Sequence, residues 1–205
     1  MAYWHISDWM KALYPDVIWD KFGNGRTLYL TFDDGPTPEI TEQVLDILEQ
    51  YQAKATFFCL GRNVEKFPNV YQSILAKGHS VGNHTYSHLK GWKSKNQEYF
   101  EDIELAFRLI HSRLFRPPYG KIRRSQIRHL KKKYKIILWE VMSHDYENRL
   151  SKELSLKAVL KYSRQGSIIV FHDSVKAIEK LEYILPRILE YFSGEGYNFK
   201  AISDS

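Results

Sequence analysis

The sequence predicts an α/β fold, made of a single domain around a mainly parallel β-sheet. The chain has 205 residues, which is within the size range of one domain and enough to bury a sizeable core. Strand-like apolar runs alternate with helical patterns along almost the whole chain, without a linker or an internal repeat. Apolar strands that alternate with helices are typical of parallel sheets covered on both faces.

About seven β/α units follow one another. The predicted strands are residues 28–32, 55–60, 79–84, 135–141, 167–172 and 198–202, with a further strand end or turn at RPPYG, residues 116–120. The predicted helices are residues 37–51, 69–78, 97–114, 151–163 and 176–192, together with a basic segment at 121–135. The inner face of the first helix consists of Ile40, Val44, Leu45 and Leu48. Such a sheet either closes into a distorted (β/α) barrel or stays open and doubly wound.

Polar residues follow five of the predicted strands, at the point where each strand ends. They are Asp33 and Asp34, then HTYSH at 84–88, RPPYG at 116–120, SHDY at 143–146, and FHDS at 171–174. In both candidate architectures the active groups gather beyond the carboxyl ends of the strands. The sequence therefore predicts one shared polar site at that end of the sheet.

The charge distribution argues against a nucleic-acid-binding protein. The net charge is +6, but the segment 121–135 alone holds eight Lys or Arg residues and no acid, so the rest of the chain is slightly acidic. Ile127, Leu130 and Tyr134 recur there at helical spacing, which predicts an amphipathic helix with a solvated basic face. Contact with an anionic polymer or membrane surface is the minority interpretation, and no nucleic-acid partner is expected.

The N-terminal residues carry no motif of the predicted site. Asp8, Lys11 and Asp16 interrupt this segment, so it matches neither a signal peptide nor a membrane span, and a cytoplasmic location is expected. Trp4, Trp9 and Trp19 suggest that residues 1–25 form a cap packed on the barrel, with the catalytic domain at 26–205. The sequence makes no prediction of the oligomeric state.

Two histidines and one carboxylate form a candidate metal site. His84 and His88 are four residues apart, so one helical turn would place both side chains on the same face. Asp34 is the best-placed third ligand, because it also follows a strand. Two imidazoles and a carboxylate suit Zn²⁺, with Co²⁺, Ni²⁺, Mn²⁺ or Fe²⁺ as alternatives. Three protein ligands leave a position open for water or substrate, which is typical of a catalytic site.

These motifs resemble those of the polysaccharide deacetylases, carbohydrate esterase family four, over residues 26–202. TFDDG (31–35), HTYSH (84–88), RPPYG (116–120) and IIVFH (168–172) resemble four of the family motifs in the family order, and SHDY (143–146) is a looser version of a fifth. The resemblance implies a distorted (β/α) barrel with about seven parallel strands and its active site at their carboxyl ends. It also implies that Asp34, His84 and His88 bind a divalent metal.

The resemblance assigns a role to each remaining motif residue. Asp33 would be the general base, and Arg116 would hold it ionised and oriented. His172 would be the general acid, with Asp145 tuning it, and Tyr119 would supply a backbone N–H to the oxyanion. Amide hydrolysis needs an activated water, a base, an oxyanion donor and a protonated leaving amine, so each role has a chemical reason.

Two positions depart from the family pattern. The family usually has tryptophan where this chain has Tyr146, and commonly leucine where it has Val170. Both shape the pocket for the acetyl methyl group in relatives, and Trp139 is a candidate to supply the missing bulk. Trp92 is either a sugar platform or a packing residue. The departures leave the preferred acyl group and sugar context undecided.

The sequence thus predicts a metal-dependent hydrolase that removes N-acetyl groups from a glycan containing N-acetylglucosamine, such as peptidoglycan or a chitin-like chain. One alternative is a related barrel amidohydrolase that acts on a small cyclic amide or imide. Another is a carbohydrate-binding protein whose catalytic site has decayed, although no catalytic position is visibly replaced.

Overall fold

A computed structural model describes residues 4–21, 23 and 25–204. Its strands are β1 Val17–Ile18, β2 Thr27–Asp33, β3 Thr56–Cys59, β4 Ser80–Asn83, β5 Leu114–Phe115, β6 Lys135–Ile137, β7 Val141–Met142, β8 Ile168–His172 and β9 Asn198–Phe199. Its helices are α1 Asp8–Ala12, α2 Ile40–Gln50, α3 Gly61–Lys66, α4 Pro68–Ala76, α5 Asn96–Ile110, α6 Arg124–Leu130, α7 Lys152–Tyr162 and α8 Ile178–Gly194, with a 3₁₀ turn at Pro118–Gly120.

The strands form one curled parallel sheet, which confirms the predicted α/β barrel class. The strand order is β1-β6-β5-β4-β3-β2-β8-β7, with β9 beside β2, and every pair of strands is parallel. The described residues contain nine strands rather than about seven. The two extra strands arise because β1 is a two-residue strand without a sequence signature, and because the predicted run 135–141 is two strands.

That split connects the two sides of the curled sheet. β6 lies near one end of the strand order and β7 at the other, yet only three residues separate them along the chain. In this short link the Leu138 N–H donates to Ile18 O at 2.8 Å, and the Glu140 N–H donates to Ile168 O at 3.0 Å. The link therefore donates hydrogen bonds both to β1 and to β8. The sheet is curled, so that its two edges lie close to each other.

The N-terminal segment runs along the seam between those edges. The Ile6 N–H donates to Glu140 O at 2.9 Å, and the Met142 N–H donates to Trp4 O at 3.1 Å, while β1 pairs with β6. The division into a cap at 1–25 and a catalytic domain at 26–205 stays a prediction, and residues 1–3, 22, 24 and 205 lie outside the described residues.

Glu140 fixes this segment through a buried ionic cluster. Its carboxylate is fully buried and accepts hydrogen bonds from Lys11 Nζ at 2.6 Å, Arg164 Nη2 at 2.7 Å and Ser167 Oγ at 2.6 Å. Burial alone would raise the pKa of Glu140, but the hydrogen bonds from Arg164 and Lys11 outweigh it and bring the pKa below its usual value. A buried carboxylate with these partners holds the two ends of the seam together.

The core lies between the sheet and its covering helices. Leu28, Leu30 and Phe32 of β2 are fully buried, and α8 packs its apolar face against the same core. In α2, Val44, Leu45 and Leu48 are buried as predicted, whereas Ile40 at the first position is only half-buried. The basic helix is shorter than expected, Arg124–Leu130, and it buries Ile127 and Leu130. None of the helices described here is both long and apolar enough to span a membrane.

Candidate active site

Asp34, His84 and His88 converge at the carboxyl ends of β2 and β4. One potential ligand atom from each lies within 4.8 Å of the others. Asp34 Oδ1 is 3.2 Å from His88 Nε2 and 3.7 Å from His84 Nε2. Asp34 Oδ1 is itself buried, and in the described part of the chain it accepts no hydrogen bond. A buried carboxylate oxygen without a donor, facing two imidazole nitrogens, fits a divalent cation.

Local backbone conformation sets the direction of the three side chains. Asp34 directly follows β2 and has φ 80°, so its side chain leaves the alternation of the strand. Asn63 of α3 holds this turn, because its Nδ2 donates to Asp34 O at 2.8 Å. His88 has φ 66°, and its N–H donates to Thr85 Oγ1 at 2.9 Å. The two histidines therefore meet through a tight loop after β4 and not through a regular helix.

His84 is in the protonation state that a metal ligand requires. Its Nδ1 lies 2.8 Å from Arg116 O. A carbonyl oxygen only accepts, so Nδ1 carries the hydrogen and Nε2 is left with its lone pair. Burial lowers the pKa of His84 to about 3, despite the opposing charge of Asp34. Burial also lowers the pKa of His88. Both imidazoles are thus neutral at physiological pH, as metal coordination needs.

Asp33 lies beside this cluster and is paired with a buried arginine. Arg116 Nη1 donates to Asp33 Oδ1 at 2.7 Å, and both side chains are almost completely buried. Arg116 also donates to Thr31 Oγ1 at 2.7 Å and to Leu138 O at 3.0 Å, and its guanidinium lies 4.1 Å from the ring centroid of Phe58. The guanidinium has several fixed partners, so it holds the Asp33 carboxylate in one orientation.

The partly buried His172 and the fully buried Asp145 form a second ion pair beside Asp33. His172 Nδ1 lies 2.8 Å from Asp145 Oδ1, and the His172 backbone N–H donates to Asp145 Oδ2 at 2.7 Å. Burial alone would lower the pKa of His172, but the charge and hydrogen bond of Asp145 outweigh it and raise the pKa to about 9. His172 pairs in register with Asp33 across β8 and β2, so the two side chains belong to one site.

Tyr119 contributes both backbone and ring. It has φ 61°, and its N–H donates no hydrogen bond to any of the described residues. The Tyr119 ring is half exposed and packs 4.6 Å from the His88 ring, centroid to centroid. Gly120 follows with φ 64°, and a Cβ there would approach Trp139 Cη2 to 2.7 Å. A glycine is therefore needed for this turn to lie against the tryptophan.

A cavity of about 680 Å³ contains the site. Its wall includes Asp33, Asp34, His84, His88 and His172, together with Tyr119, Trp139, Met142 and Tyr146. The Tyr146 ring stands edge-on to the His172 ring with centroids 4.8 Å apart. Arg116 and Asp145 are fully buried behind the wall and contact it through Asp33 and His172.

Val170 is the predicted site residue that the structure does not bring to the cavity. It is fully buried in β8 and is not among the residues that line the wall. Its neighbours in register are Thr31 of β2 and Met142 of β7. Met142 does line the cavity, and the sequence analysis did not single it out. The sequence predicted that Val170 and Trp139 shape the apolar part of the pocket. In the structure, Trp139 and Met142 form this part of the wall.

Asp173 is a site-supporting residue that the sequence analysis also missed. It is almost completely buried, its Oδ1 accepts from the Gly35 N–H at 3.1 Å, and its Oδ2 accepts from Thr41 Oγ1 at 2.5 Å. Burial raises the pKa of Asp173 to about 8. It fixes the turn that directly follows the two adjacent acids. Its position after His172 at a strand end was the available signal.

Comparisons with known proteins identify the family. A family model for polysaccharide deacetylases matches residues 20–136. A peptidoglycan-N-acetylglucosamine deacetylase of Bacillus cereus is 33% identical over 204 residues, covering 95% of this chain and 95% of that protein. A second deacetylase of the same name and organism is 37% identical over 177 residues, covering 80% of this chain and 64% of its own length.

A solved structure extends the likeness to three dimensions. It is the crystal structure of a peptidoglycan N-acetylglucosamine deacetylase in complex with 4-naphthalen-1-yl-N-oxidanyl-benzamide. The TM-score is 0.81 at 34% identity, and the match covers 91% of each chain. The family model matches more than half of the chain, and the relatives match nearly all of it. The chain therefore belongs to the polysaccharide deacetylase family.

Proposed function

We propose that the protein is a divalent-metal-dependent hydrolase that removes N-acetyl groups from a polysaccharide or oligosaccharide containing N-acetylglucosamine. The observation that carries this proposal is the unpartnered, buried Asp34 Oδ1 facing two neutral imidazoles, in a cavity whose wall also contains the in-register neighbours Asp33 and His172. The names of both Bacillus cereus relatives, which are peptidoglycan-N-acetylglucosamine deacetylases, support the substrate class.

Asp34, His84 and His88 would hold the metal. Zinc suits a set of two imidazoles and one carboxylate, and cobalt, nickel, manganese or iron are alternatives. A bound divalent cation lowers the pKa of water towards neutrality and polarises a carbonyl oxygen. Arg116 O keeps the His84 ring in the tautomer that leaves Nε2 available.

Asp33 would act as the general base. One of its oxygens is occupied by Arg116, which fixes the plane of the carboxylate, and the residue lines the cavity next to Asp34. Its other oxygen accepts no hydrogen bond from the described residues, so it can take a proton from an attacking water. The proton transfer needs no movement of the carboxylate, because the buried guanidinium already orients it.

His172 would act as the general acid. With a pKa of about 9, its imidazole carries a proton at neutral pH. Nδ1 is engaged by Asp145, so Nε2–H is the donor that remains for the nitrogen of the departing amino sugar. An amine is a poor leaving group until it is protonated, and His172 would supply that proton as the carbon–nitrogen bond breaks.

The Tyr119 N–H is a candidate donor for the oxyanion of the tetrahedral intermediate. It is free of other partners in the described structure, and the Tyr119 ring packs against the ring of His88. A preorganised backbone donor of this kind contributes on the order of 3 kcal/mol in acyl transfer. Trp139, Met142 and Tyr146 form the apolar wall that would hold the acetyl methyl group.

Acetate release measures this function directly. We expect the protein, loaded with Zn²⁺, to release acetate from an N-acetylglucosamine tetramer. A strong chelator should abolish the release, and added Zn²⁺ or Co²⁺ should restore it. Asp33→Asn is the matched control, because it removes the base and leaves the three metal ligands in place.

Three results would overturn the proposal. Full activity after complete metal removal would contradict the metal role. Hydrolysis of a small cyclic amide or imide, without release from any glycan, would favour the related amidohydrolase. Binding of the tetramer without turnover under any metal would favour a carbohydrate-binding protein with a decayed site.

A further inference from the structure

A second cavity, of about 750 Å³, adjoins the catalytic cavity. Its volume is within the range of cavities that hold small molecules. The N-terminal segment lines one part of it, and the link between β6 and β7 lines another. Most of the side chains that line this cavity and not the catalytic one are apolar, including Ile6, Met10, Trp19, Ile122, Leu138 and Leu150. We call this space the apolar cavity.

The apolar cavity offers little to a charged ligand. Among the described residues that line it, the acidic, basic and histidine side chains are Lys121, His144 and Glu147. His144 Nδ1 lies 3.2 Å from Glu147 Oε2, so these two side chains are paired with each other. Lys121 is exposed, and its Nζ lies 5.7 Å from the ring centroid of Trp92. An apolar group therefore fits this space better than a charged one, which would lose its hydration there.

The apolar cavity is continuous with the proposed position of the acetyl methyl group. Four residues line both cavities, namely Tyr119, Lys121, Trp139 and Met142. Trp139 and Met142 also belong to the wall that would hold the methyl group. An acyl chain that continues beyond this methyl would therefore meet Trp139 and Met142 first and the apolar cavity next.

The two side chains of this partition differ in their freedom to move. Trp139 lies against Gly120, where a Cβ would approach Trp139 Cη2 to 2.7 Å. Met142 is unbranched, and the contact of its Sδ with the Tyr146 hydroxyl is weak, at 3.5 Å. Val170 is paired in register with Met142 but does not line either cavity. A rotamer change of Met142 alone would thus widen the passage while Trp139 stays in place.

We propose that the apolar cavity receives the acyl chain of N-acyl amino sugars whose acyl group is longer than acetyl, and that the protein hydrolyses these amides as well. The reaction is the same hydrolysis. The carbon–nitrogen bond breaks, the oxygen of water is transferred to the acyl carbon, and the amine takes up a proton. The products are a free amino sugar and a carboxylate of the original chain length. This inference rests on the proposed hydrolase function and extends it beyond acetyl.

Four tetramers of glucosamine test this inference. Each carries one N-acyl group, which is acetyl, butanoyl, hexanoyl or octanoyl, and chromatography measures the released carboxylate. We expect kcat/KM of the zinc-loaded protein to rise by about tenfold for every two methylenes that become buried, mainly through a lower KM. The control substrate is the N-acetyl tetramer with an octyl chain on its reducing end. It carries an apolar chain at a position that does not lead to the apolar cavity, so it should show no such gain.

The double variant Met10→Gln/Leu150→Gln places two polar side chains in the apolar cavity. It should lower the ratio of kcat/KM for the octanoyl substrate over the acetyl substrate towards one. The matched control is Leu13→Gln/Leu154→Gln, which changes two exposed apolar residues that line neither cavity and should keep the native ratio.

Three results would overturn the inference. The first is a kcat/KM that stays level or falls as the acyl chain lengthens. The second is an equal gain from the octyl chain on the reducing end, which would assign the cavity to another part of the substrate. The third is a ratio that the cavity variant leaves unchanged, or that the control variant lowers equally.

A binding measurement separates failure of the acyl cavity from failure of the proposed function. Trp19 and Trp139 line the cavity, so tryptophan fluorescence titration of the Asp33→Asn variant reports the affinity for each tetramer without turnover. Tighter binding of the octanoyl form, combined with no carboxylate release by the native protein, would keep the acyl cavity and overturn the function. Acetate release without any preference for longer chains would keep the function and overturn the acyl cavity.

Discussion

The metal cluster and the two ion pairs beside it differ in whether their charges are compensated within the chain. The cluster leaves Asp34 Oδ1 without a donor and points two neutral imidazoles at it, so under the proposed function it would be completed by a cation from outside the chain. In the pairs Arg116–Asp33 and Asp145–His172, each charge has its counter-charge within 2.8 Å. The pairs therefore fix protonation and orientation without any ligand, whereas the proposed metal site would need one.

A third buried ionic cluster lies away from the metal cluster and has no role in the proposed reaction. Glu140 is as deeply buried as Arg116 and is bonded to Lys11, Arg164 and Ser167 at the seam of the barrel. No residue of the metal cluster contacts it. Glu140 therefore provides an internal control. Removing its charge should change the free energy of unfolding and leave the reaction rate unchanged.

The largest effect is expected from breaking the Arg116–Asp33 pair. Arg116→Gln leaves the Asp33 carboxylate buried without its cation, which costs about 3–5 kcal/mol in the free energy of unfolding. The misoriented base should also lower kcat by about 10²–10⁴-fold. Urea unfolding and acetate release measure the two effects.

Arg116→Lys is the matched variant if Arg116→Gln does not fold. It keeps the positive charge but loses the planar fork that bonds Asp33, Thr31 and Leu138 together. We expect intermediate stability and a low kcat. A fully active Arg116→Lys protein would show that charge alone suffices and that orientation of Asp33 is unimportant.

The Asp145–His172 pair predicts a pH dependence. The pKa of His172 is raised to about 9, so the acid is present below that pH and activity should fall as pH rises through about 9. Asp145→Asn removes the raising charge while burial remains, so the falling limb should move to lower pH. If the pKa returns to about 6.5, activity at pH 8 drops by about 30-fold. The pH profile of kcat/KM checks this, and an unmoved limb would contradict the acid role.

The architecture was predictable from the sequence, because continuous apolar runs such as those of β2 and β8 are typical of buried strands in a parallel sheet. The strand ends also directed attention to Asp34, His84 and His88, which the structure brings together. The split of residues 135–141 was not predictable, because it depends on where the two distant sheet edges meet. Asp173 was visible as a polar residue at a strand end, but its contacts with Gly35 and Thr41 are distant in sequence, and no local pattern announces such contacts.

A smaller effect, on stability alone, is expected at the seam. Glu140→Gln should lower the free energy of unfolding by about 1–3 kcal/mol, because Lys11 and Arg164 lose their shared counter-charge. The pKa of Glu140 is below its ordinary value, so its contribution is present above pH 4.5 and is lost as pH falls through the lowered pKa. The variant should lack that acid-dependent loss and keep the native pH–rate profile. A shifted profile would show that the seam is coupled to the chemistry.

The smallest effect is expected from Tyr146→Phe. Its hydroxyl donates to Met142 Sδ at 3.5 Å, a weak contact, while its ring packs on His172. If Asp145 sets the charge of His172, the basic limb of the pH–rate profile should stay in place and kcat/KM should change little. A limb displaced as far as in Asp145→Asn would assign the tuning to the tyrosine instead.

The division of labour between the adjacent acids is the central claim, and zinc content tests it most directly. Purified Asp33→Asn and Asp34→Asn proteins should be equilibrated with Zn²⁺, desalted and assayed for bound metal and for acetate release. We predict that Asp33→Asn retains one equivalent of zinc without turnover, and that Asp34→Asn loses both. Loss of zinc from Asp33→Asn, or an active zinc-loaded Asp34→Asn protein, would contradict the account.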